Sequence, residues 1–391
     1  MTLTQEIKRE ALRLGFPLAG VTTPDPPPHF DAYSRWLEAG FHGEMAYLTS
    51  ERGRACRADP RRLMPESRSI MVLGYPYRSA TTAERPPSDP QEVCTGRVAV
   101  YAWGADYHVI LPQRLRLLED FITSRAGREV KFRHYTDSGP ILERDLAQRA
   151  GLGWIGKNTC LIHPAHGSFF FLAEILMDIE LDFDLPFTTD HCGSCTRCLE
   201  ACPTGCLAPG YMLDARRCLS YLTIELKGSI PPDLRPRLGN WVFGCDMCQQ
   251  ACPWNKKALR DNSESTAPTF ELEVNISSPN LLEELFLTPQ DFAGKFKNSP
   301  VKRTKRHGYL RNVAVALGNV AAGSRDPLAI QALIRALEQE PEALVRLHAA
   351  WALARAGSPM SLRALSNRKS VETDPRVLAE ITQACLALSQ G

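Results

Sequence analysis

The segments CGSCTRCLEACP at residues 192–203 and CDMCQQACP at residues 245–253 determine how the centre of this chain folds. The first has the spacing Cys-x2-Cys-x2-Cys-x3-Cys-Pro, which is typical of bacterial proteins that hold two 4Fe–4S clusters. In that pattern three cysteines bind one cluster and the fourth binds the other. The second segment lacks one cysteine of the pattern, and Cys218, between the segments, is available to supply it.

Eight cysteines meet the full requirement of two such clusters, and the crossed rule divides them into two sets. The predicted ligands are Cys192, Cys195, Cys198 and Cys252 for cluster one, and Cys202, Cys218, Cys245 and Cys248 for cluster two. A pair of zinc sites is the alternative, since Cys-x2-Cys pairs also bind zinc. The third close cysteine of the first segment and the two Cys-Pro endings favour iron–sulfur clusters. An electron-transfer protein, or an enzyme with its own electron supply, is therefore predicted.

The composition limits the remaining possibilities. A chain of 391 residues predicts two to three domains at roughly 150 residues each. The net charge of +2 is nearly balanced, so that contact with nucleic acid requires a local basic patch. The clustering of the 13 cysteines favours reduced, metal-binding thiols over disulfides. No signal-peptide pattern and no apolar stretch long enough for a bilayer are found, which predicts a cytoplasmic protein.

Three segments differ in pattern. Residues 1–185 are predicted to be an α/β domain, with strands over 69–77, 97–103 and 169–177, a helix ending near Gly127, and another starting near Pro140. Residues 186–260 have short spacings that suit a domain organised around metal. Residues 278–391 read as all helix. The segment TAERPPSDP at residues 82–90 is predicted to be a surface loop, of the kind that covers a site.

The helical segment contains a short Ala-rich sequence that recurs with variations, and its copies are called the echoed sequences below. The sequences VAVALG at 313–318, AAWALA at 349–354 and, more weakly, ACLAL at 384–388 recur at a spacing in the thirties. Such a period, with small residues at helix contacts, predicts stacked helical hairpins of the HEAT-like kind. An ordinary helical bundle is the alternative.

A basic stretch free of acidic residues lies before these repeats. Its cations are Lys295, Lys297, Lys302, Arg303, Lys305, Arg306 and Arg311. Phe296, His307 and Tyr309 are interleaved with them. Cations neutralise phosphates and aromatic rings stack on unpaired bases, so the stretch is a candidate nucleic-acid surface. A solvated helix face is the alternative.

Chemistry beyond electron transfer requires an acceptor site, and YTDSGPILER at 135–144 followed by GLGWIGKNT at 151–159 is the candidate. Asp137 precedes a predicted helix, where a carboxylate either caps the helix or acts as an acid. The glycine spacing is not that of a dinucleotide loop, and we expect these glycines to let the backbone approach a large flat ligand. The polar turn Arg57–Arg61 either binds an anionic or amide-bearing cofactor or is solvated.

At these residues the chain resembles the epoxyqueuosine reductase family, over nearly its whole length. The shared motifs are WLEAGFHGEMAYL at 36–48, DPRRLMP at 59–65, YAWGADYH at 101–108, GPIL at 139–142, GLGWIGKN at 151–158 with His163 and HGS at 166–168, CGSCTRCLEACPTG at 192–205, LDARRCLSYLTIE at 213–225 and GCDMCQQACPWN at 244–255. Ser138, where Thr is expected, Thr136, where Val is expected, and Cys206, where Ala is expected, depart from the family pattern.

The resemblance implies a fold for each segment. Residues 1–185 would form an α/β (α+β) catalytic domain that holds base-off cobalamin and is similar to nitroreductases and reductive dehalogenases. Residues 186–260 would form a bacterial-ferredoxin-like domain with two 4Fe–4S clusters. Residues 278–391 would form a HEAT-like domain that holds the anticodon stem-loop of tRNA.

The resemblance also implies an activity. The last step of queuosine synthesis would reduce the epoxide of epoxyqueuosine in tRNA, with cob(I)alamin recharged through the clusters. Asp137 would donate a proton, its pKa raised by burial. The expected cofactor contacts are Arg57, Lys157, Asn158, Thr159, Ser168 and Ser220, and the basic stretch would bind tRNA. An unidentified low-potential donor would supply electrons, and we expect a monomer.

Two other functions fit parts of the sequence. A corrinoid iron–sulfur reductase of a small molecule shares the clusters, but would not need the basic stretch and the repeats. A non-catalytic electron carrier also shares the clusters, but would not need the large first domain with its glycine-rich segment.

Overall fold

The computed structural model describes residues 1–78, 94–261 and 274–389. They form two compact units. Unit 1 draws on Met1–Ala83, Ala105–Arg216 and Asp246–Glu271, and unit 2 on Glu84–Gly104, Arg217–Cys245 and Leu272–Gly391. The division into 1–185, 186–260 and 278–391 stays a prediction. The predicted loop at 82–90 lies outside the described residues.

Strands and helices alternate in the first half, and helices dominate the second. The described strands are β1 Leu18–Thr22, β2 Ser69–Pro76, β3 Arg97–Val98, β4 Phe132–Tyr135, β5 Trp154–Ile155, β6 Leu161–Ile162, β7 Phe170–Met177, β8 Leu207–Ala208, β9 Met212–Leu213 and β10 Trp241–Phe243. The described α-helices are α1 Leu3–Arg13, α2 Phe30–Glu38, α3 Glu51–Ala58, α4 Tyr107–Ala126, α5 Glu143–Arg149, α6 Arg197–Glu200, α7 Leu219–Ile224, α8 Met247–Gln250, α9 Pro253–Asp261, α10 Val274–Ser277, α11 Leu281–Glu284, α12 Pro289–Lys295, α13 Lys305–Ser324, α14 Pro327–Gln339, α15 Ala343–Ala356, α16 Pro359–Lys369 and α17 Pro375–Ser389.

Unit 1 is built on a four-stranded antiparallel sheet with the order β1-β2-β7-β4. The central strands β2 and β7 are buried over most of their length, which explains their nearly continuous apolar sequences. Leu111, Leu115, Leu118 and Ile122 of α4 are fully buried. The strands predicted over 69–77 and 169–177 and the helix ending near Gly127 are confirmed.

Two predicted elements differ from the structure. The strand expected over 97–103 is limited to β3, because the chain turns at Val100–Ala102 and the indole N–H of Trp103 donates to the carbonyl of Val98. The helix expected near Pro140 begins only at Glu143. The local sequence predicted the right type of element in each case, a strand and a helix. Tertiary contacts set the residues at which these elements begin and end.

The two cysteine segments adopt matching local structures. Each has one turn of helix, α6 or α8, that precedes a Cys-Pro pair, and these two helices pack together in unit 1. Proline lacks the N–H group that an α-helix needs in its interior, so it suits the point where each turn ends. The pairing brings cysteines that are far apart in sequence into one region.

The helices of unit 2 form two layers. α13, α15 and α17 pack side by side, while α14 and α16 pack against them. The echoed sequences VAVALG, AAWALA and ACLAL lie in α13, α15 and α17, which are the helices of one layer. Gly318 allows α13 and α15 to approach closely, because an added Cβ would lie 2.5 Å from the Cβ of Ala352. Within the described ranges, no helix is long and apolar enough to cross a membrane.

Candidate iron–sulfur and reductase sites

Four cysteines from both segments converge on one pocket of unit 1. They are Cys192, Cys195, Cys198 and Cys252, the set predicted for cluster one. Cys192 and Cys195 are held in a tight turn by a hydrogen bond from the amide of Cys195 to the carbonyl of Cys192, at 2.9 Å. Cys198 lies in α6, and Cys252 follows α8. The donor set is therefore four thiols, as a 4Fe–4S cluster requires.

A cation and an indole group lie against this pocket. Lys157 Nζ donates to the carbonyls of Gly193 at 2.6 Å and Cys195 at 3.0 Å. The indole Nε1 of the buried Trp154 lies 3.5 Å from Cys192 Sγ. Positive charge and N–H donors near cysteine sulfur stabilise the reduced, more negative state of a cluster.

Two glycines of the GLGWIGKN segment allow close packing within the β5–β6 hairpin. A Cβ on Gly153 would lie 2.1 Å from the carbonyl oxygen of Ile162, and one on Gly156 would lie 2.4 Å from the Cδ1 of Ile162. Gly153 also has φ of +150°, which disfavours a side chain. Close packing within the hairpin accounts for both glycines, and their approach to a large flat ligand stays a prediction.

The second predicted cysteine set is presented by four different local structures. Cys202 follows α6 and Cys248 lies in α8, whereas Cys218 immediately precedes α7 and Cys245 follows β10. The Sγ atom of the buried Cys206 lies 3.4 Å from that of Cys202. Ligation of cluster two by Cys202, Cys218, Cys245 and Cys248 stays a prediction.

Asp137 lies just beyond the end of β4, in an unusual backbone conformation. Its φ is +56°, a left-handed value that few residues other than glycine adopt. The backbone N–H donates to Glu143 Oε1 at 2.7 Å, and the Tyr107 hydroxyl donates to Asp137 Oδ2 at 2.7 Å. The side chain is 63% exposed. Since α5 begins only at Glu143, Asp137 does not cap this helix, and the capping interpretation is wrong.

The first turn of α4 supplies a histidine beside Asp137. His108 Nδ1 lies 2.8 Å from Oδ1 of the buried Asp106, and its Nε2 lies 3.8 Å from Asp137 Oδ2. Tyr107 stacks on both His108 and Phe171, with ring centroids 4.1 Å apart in each pair. Sequence reasoning missed Tyr107 and His108, although both belong to the YAWGADYH motif.

Two further carboxyl groups lie near Asp137: Glu174 is fully buried and Glu143 is half-buried. Burial and the neighbouring Asp137 raise the pKa of Glu143 to about 8. Burial, with Glu143 and Asp137 nearby, also raises the pKa of Glu174 well above its ordinary value. Among the described residues, neither carboxyl oxygen of Glu174 has a hydrogen-bond partner. The sequence analysis expected a buried Asp137, whereas the fully buried acid near this site is Glu174.

Most of the residues predicted to contact the cofactor make hydrogen bonds within the protein. Arg57 is buried, and its Nη1 donates to the carbonyl of Gly53 at 3.2 Å. The carbonyl of Thr159, whose φ is +63°, accepts a hydrogen bond from Arg144. Asn158 is buried, and its Nδ2 has no partner within the described part of the chain.

Ser168 and Ser220 complete the predicted set. The amide of the buried Ser168 donates to Asn255 Oδ1 at 2.6 Å, and Gln249 Nε2 donates to Ser168 Oγ at 3.1 Å. These bonds connect the start of β7 to the second cysteine segment, so Ser168 is already used within the protein. Ser220 lies half-buried in α7.

The basic stretch divides into surface and interior residues. Lys297, Lys302, Arg303 and Lys305 are exposed. Lys305 begins α13 with φ of +60°, a conformation that costs free energy in a residue with a side chain. These four side chains are placed where they can contact a polyanion.

The exposed Arg303 pairs with Glu225, its Nε 2.6 Å from Glu225 Oε1, and the three less exposed cations also have partners in unit 2. Lys295 pairs with Glu284, and both Nη atoms of Arg306 lie 2.8 Å from the carboxylate of Glu340. Arg311 is 1% exposed and donates to the carbonyls of Leu222 and of residues 226 and 228. The prediction that Arg311 contacts tRNA therefore does not fit the structure.

The interleaved aromatic residues are also mostly interior. Phe296 and Tyr309 are each 1% exposed, and the Tyr309 hydroxyl donates to Glu284 Oε2 at 3.0 Å. They pack against each other in the interior of unit 2, with ring centroids 5.1 Å apart. The expectation that these two rings stack on unpaired bases is wrong; His307 is half-buried.

Two parts of the chain match models of known protein families. Residues 191–255 match the family model of the 4Fe-4S double cluster binding domain, and residues 57–138 match the model described as epoxyqueuosine reductase QueG, DUF1730. The chain is 41% identical over 357 residues to an epoxyqueuosine reductase of Pseudomonas aeruginosa, covering 91% of this chain and 95% of that protein. It is 40% identical to one of Burkholderia pseudomallei over 384 residues, covering 90% and 91%.

A solved structure agrees with these matches. The crystal structure of an epoxyqueuosine reductase with an epoxyqueuosine-modified tRNA-Tyr stem loop superposes with a TM-score of 0.86, at 30% identity over 99% of both chains. The fold and the cysteine-lined pocket, together with the double-cluster match, define an iron–sulfur oxidoreductase. The chain belongs to the epoxyqueuosine reductase family.

Proposed function

We propose that the protein reduces the epoxide of epoxyqueuosine in the anticodon loop of tRNA to the alkene of queuosine, as the last step of queuosine synthesis. The observation that carries the proposal is the exposed carboxyl group of Asp137, held on a left-handed backbone in the unit that contains the cysteine-lined pocket. Strained conformations outside glycine persist where the surroundings enforce them, and such places are often active sites.

Asp137 acts as the general acid in this proposal. Its carboxyl group donates a proton to the departing epoxide oxygen, since an alkoxide is a poor leaving group without one. The Tyr107 hydroxyl fixes Asp137 Oδ2, and Glu143 fixes the backbone amide, so the acid is oriented before the substrate arrives. His108, which Asp106 orients through Nδ1, has its Nε2 3.8 Å from the exposed carboxyl group of Asp137.

We infer that base-off cobalamin is bound in residues 1–185, in a fold like that of nitroreductases and reductive dehalogenases. The buried amide Nδ2 of Asn158, which has no hydrogen-bond partner among the described residues, supports this inference, because the amide groups around a corrin ring offer acceptors for such a donor. Thr159 and Ser220 would be further contacts. When bound, cob(I)alamin supplies the low-potential electrons that open the epoxide. Arg57, Lys157 and Ser168 also organise the protein around this region through the hydrogen bonds described above, and they stay predicted cofactor contacts.

The two cysteine sets would carry electrons from an unidentified low-potential donor. Substituting Trp154 with Phe is expected to lower the reduction potential of cluster one by tens of millivolts, because the variant has no indole N–H at Cys192 Sγ. Potentiometric titration followed by electron paramagnetic resonance measures this shift. The matched control is Trp36→Phe, since the Trp36 indole donates to the carbonyl of Leu213 and not to a cysteine. An unchanged potential in Trp154→Phe would contradict a role for this indole.

Residues 278–391 would form a HEAT-like scaffold that binds the anticodon stem-loop through Lys297, Lys302, Arg303 and Lys305. Substituting Lys297, Lys302 and Lys305 together with Gln is expected to weaken tRNA binding, because their charges meet phosphates. The slope of log affinity against log salt should fall by about 0.7–0.9 for each phosphate that is no longer neutralised. Filter binding over a salt series measures both quantities.

The control for this triple variant removes the same charge elsewhere in unit 2. Arg355, Arg363 and Lys369 are exposed residues of α15 and α16, outside the basic stretch in sequence, and their replacement with Gln should leave the affinity and the slope unchanged. Equal effects in the two variants would show that net charge, and not this surface, governs binding.

The experiment that tests the proposed function is an anaerobic turnover assay. Reconstituted protein, cobalamin and a strong reductant are incubated with tRNA that contains epoxyqueuosine, and digested nucleosides are analysed by mass spectrometry. Loss of one oxygen atom that depends on cobalamin is the expected result. No conversion by protein with both clusters and cobalamin bound would overturn the proposal. Sedimentation of the same sample tests the expected monomer.

A further inference from the structure

Glu174 is a carboxylic acid inside an apolar core. It lies on β7 between Val72 of β2 and Tyr135 of β4, which are its partners in the sheet. Leu172 and Leu176, two residues to either side, share its face of the strand and pack in the core beneath α5. Glu174 is 0% exposed. A charged carboxylate without partners is costly in such a place, so the neutral acid is the favoured form.

Glu143 lies beside Asp137. It is the first residue of α5, which packs on β7, and its Oε1 accepts the backbone N–H of Asp137 at 2.7 Å. The charged groups that act on Glu143 are Asp137, which raises its pKa, and Arg144 and Arg57, which lower it less than burial raises it. Among the described residues, the charged groups that act on Glu174 are Glu143 and Asp137, and both raise its pKa. The protonation of Glu174, in the sheet interior, therefore depends on Glu143 and on Asp137 at the exposed site.

The proposed reaction needs two protons, whereas Asp137 holds one. Both C–O bonds of the epoxide break, the alkene forms, and the oxygen leaves as water after gaining two electrons and two protons. The electrons come from the donor through the clusters. Once Asp137 has protonated the oxygen at the first C–O cleavage it is ionised, and the second cleavage needs a further acid.

We propose that Glu143 and Glu174 store the second proton as neutral carboxyl groups and transfer it to Asp137 within each turnover. The transfer moves a proton from Glu143 to the Asp137 carboxylate, and Glu174 then reprotonates Glu143. Each transfer leaves a carboxylate behind, so the negative charge moves from Asp137 to Glu143 and then to Glu174. The charge stays on Glu174 only until solvent protons restore the pair. Glu143 and Glu174 are thus positioning and proton-storage residues behind the acid, and this role rests on the proposed function.

Infrared spectroscopy of the resting holoprotein tests the storage directly. At pH 7, we expect a carbonyl band of protonated carboxyl groups that loses intensity in Glu143→Gln and in Glu174→Gln. The matched control is Glu66→Gln, because hydrogen bonds to its own backbone and to Lys131 lower the pKa of Glu66 and keep it ionised. In wild type the Glu143 part of the band should disappear as the pH rises through about 8. An unchanged band in both variants would overturn the proposal.

Turnover as a function of pH tests the transfer. Both Gln variants keep the size of the side chain, and Glu143→Gln keeps an acceptor for the Asp137 amide. We expect a loss of about tenfold or more at pH 8 and a much smaller loss at pH 6, where solvent protons replace the internal supply. A wild-type pH profile in both folded variants would overturn the proposal. If wild type itself fails to convert the tRNA, the proposed function fails, and the infrared result still decides whether the acids store protons.

Discussion

Replacing Asp137 with Asn is expected to lower turnover by about 10²–10⁴-fold, the usual contribution of a general acid, while both clusters stay bound. Asn is the informative substitution because it tolerates the left-handed φ of +56° and still accepts the hydrogen bond from Tyr107. The change removes the transferable proton and little else. Single-turnover conversion of epoxyqueuosine in tRNA measures the rate, and iron content confirms that the clusters are intact.

The control for this variant is Asp120→Asn, a carboxylate on α4, the helix that carries Tyr107. It should keep wild-type turnover. Asp137→Ala should be as inactive as Asp137→Asn, and also less stable, since Ala adopts a positive φ at a cost of about 1 kcal/mol or more. Turnover near the wild-type value in Asp137→Asn would remove Asp137 from the mechanism.

Replacing Cys252 with Ala is expected to remove one of the two clusters and to reduce turnover to background. The iron content should fall from about eight to about four atoms per chain, since each cubane holds four. Cys252 belongs to the second cysteine segment in sequence, but lines a pocket with three cysteines of the first. Iron and sulfide analysis with electron paramagnetic resonance measures which cluster the variant retains.

Two further variants make this experiment decisive. Cys248→Ala should remove the other cluster, because the crossed rule assigns Cys248 to cluster two. Cys385→Ala, in α17, is the control and should keep both clusters. The same metal analysis decides between iron–sulfur clusters and zinc. Retention of two intact clusters in Cys252→Ala would contradict the crossed ligand sets.

Features that depend on short sequence distances were predictable. The cysteine spacing indicates clusters because three ligands of one cubane lie within the short run 192–198. The echoed Ala-rich sequences predicted related helices because packing of helices at close distance selects small residues at a fixed position, as Gly318 against Ala352 shows. The strands β2 and β7 were also predictable, since their burial on both faces leaves continuous apolar sequence.

The basic stretch shows where such reasoning fails. Arg311 and Lys305 look alike in sequence, yet Arg311 is buried and donates to the carbonyl of Leu222, 89 residues away, while Lys305 is exposed. Tyr309 is buried against Phe292 and Phe296, and Glu284, 25 residues earlier, accepts a hydrogen bond from its hydroxyl group. Local sequence gives the charge of a side chain, but its partners across the fold decide whether it reaches solvent.

The sequence by itself determined the iron–sulfur class of cofactor and the helical character of the last segment, because cysteine spacing and helix periodicity are properties of neighbouring residues. The tertiary structure alone decided the setting of Asp137. Tyr107 comes from α4, Glu143 from α5 and Glu174 from β7, and the sheet pairing of β4 with β7 brings these elements together. Burial, and with it the raised pKa of the two glutamates, results from that packing of distant segments, which no local pattern encodes.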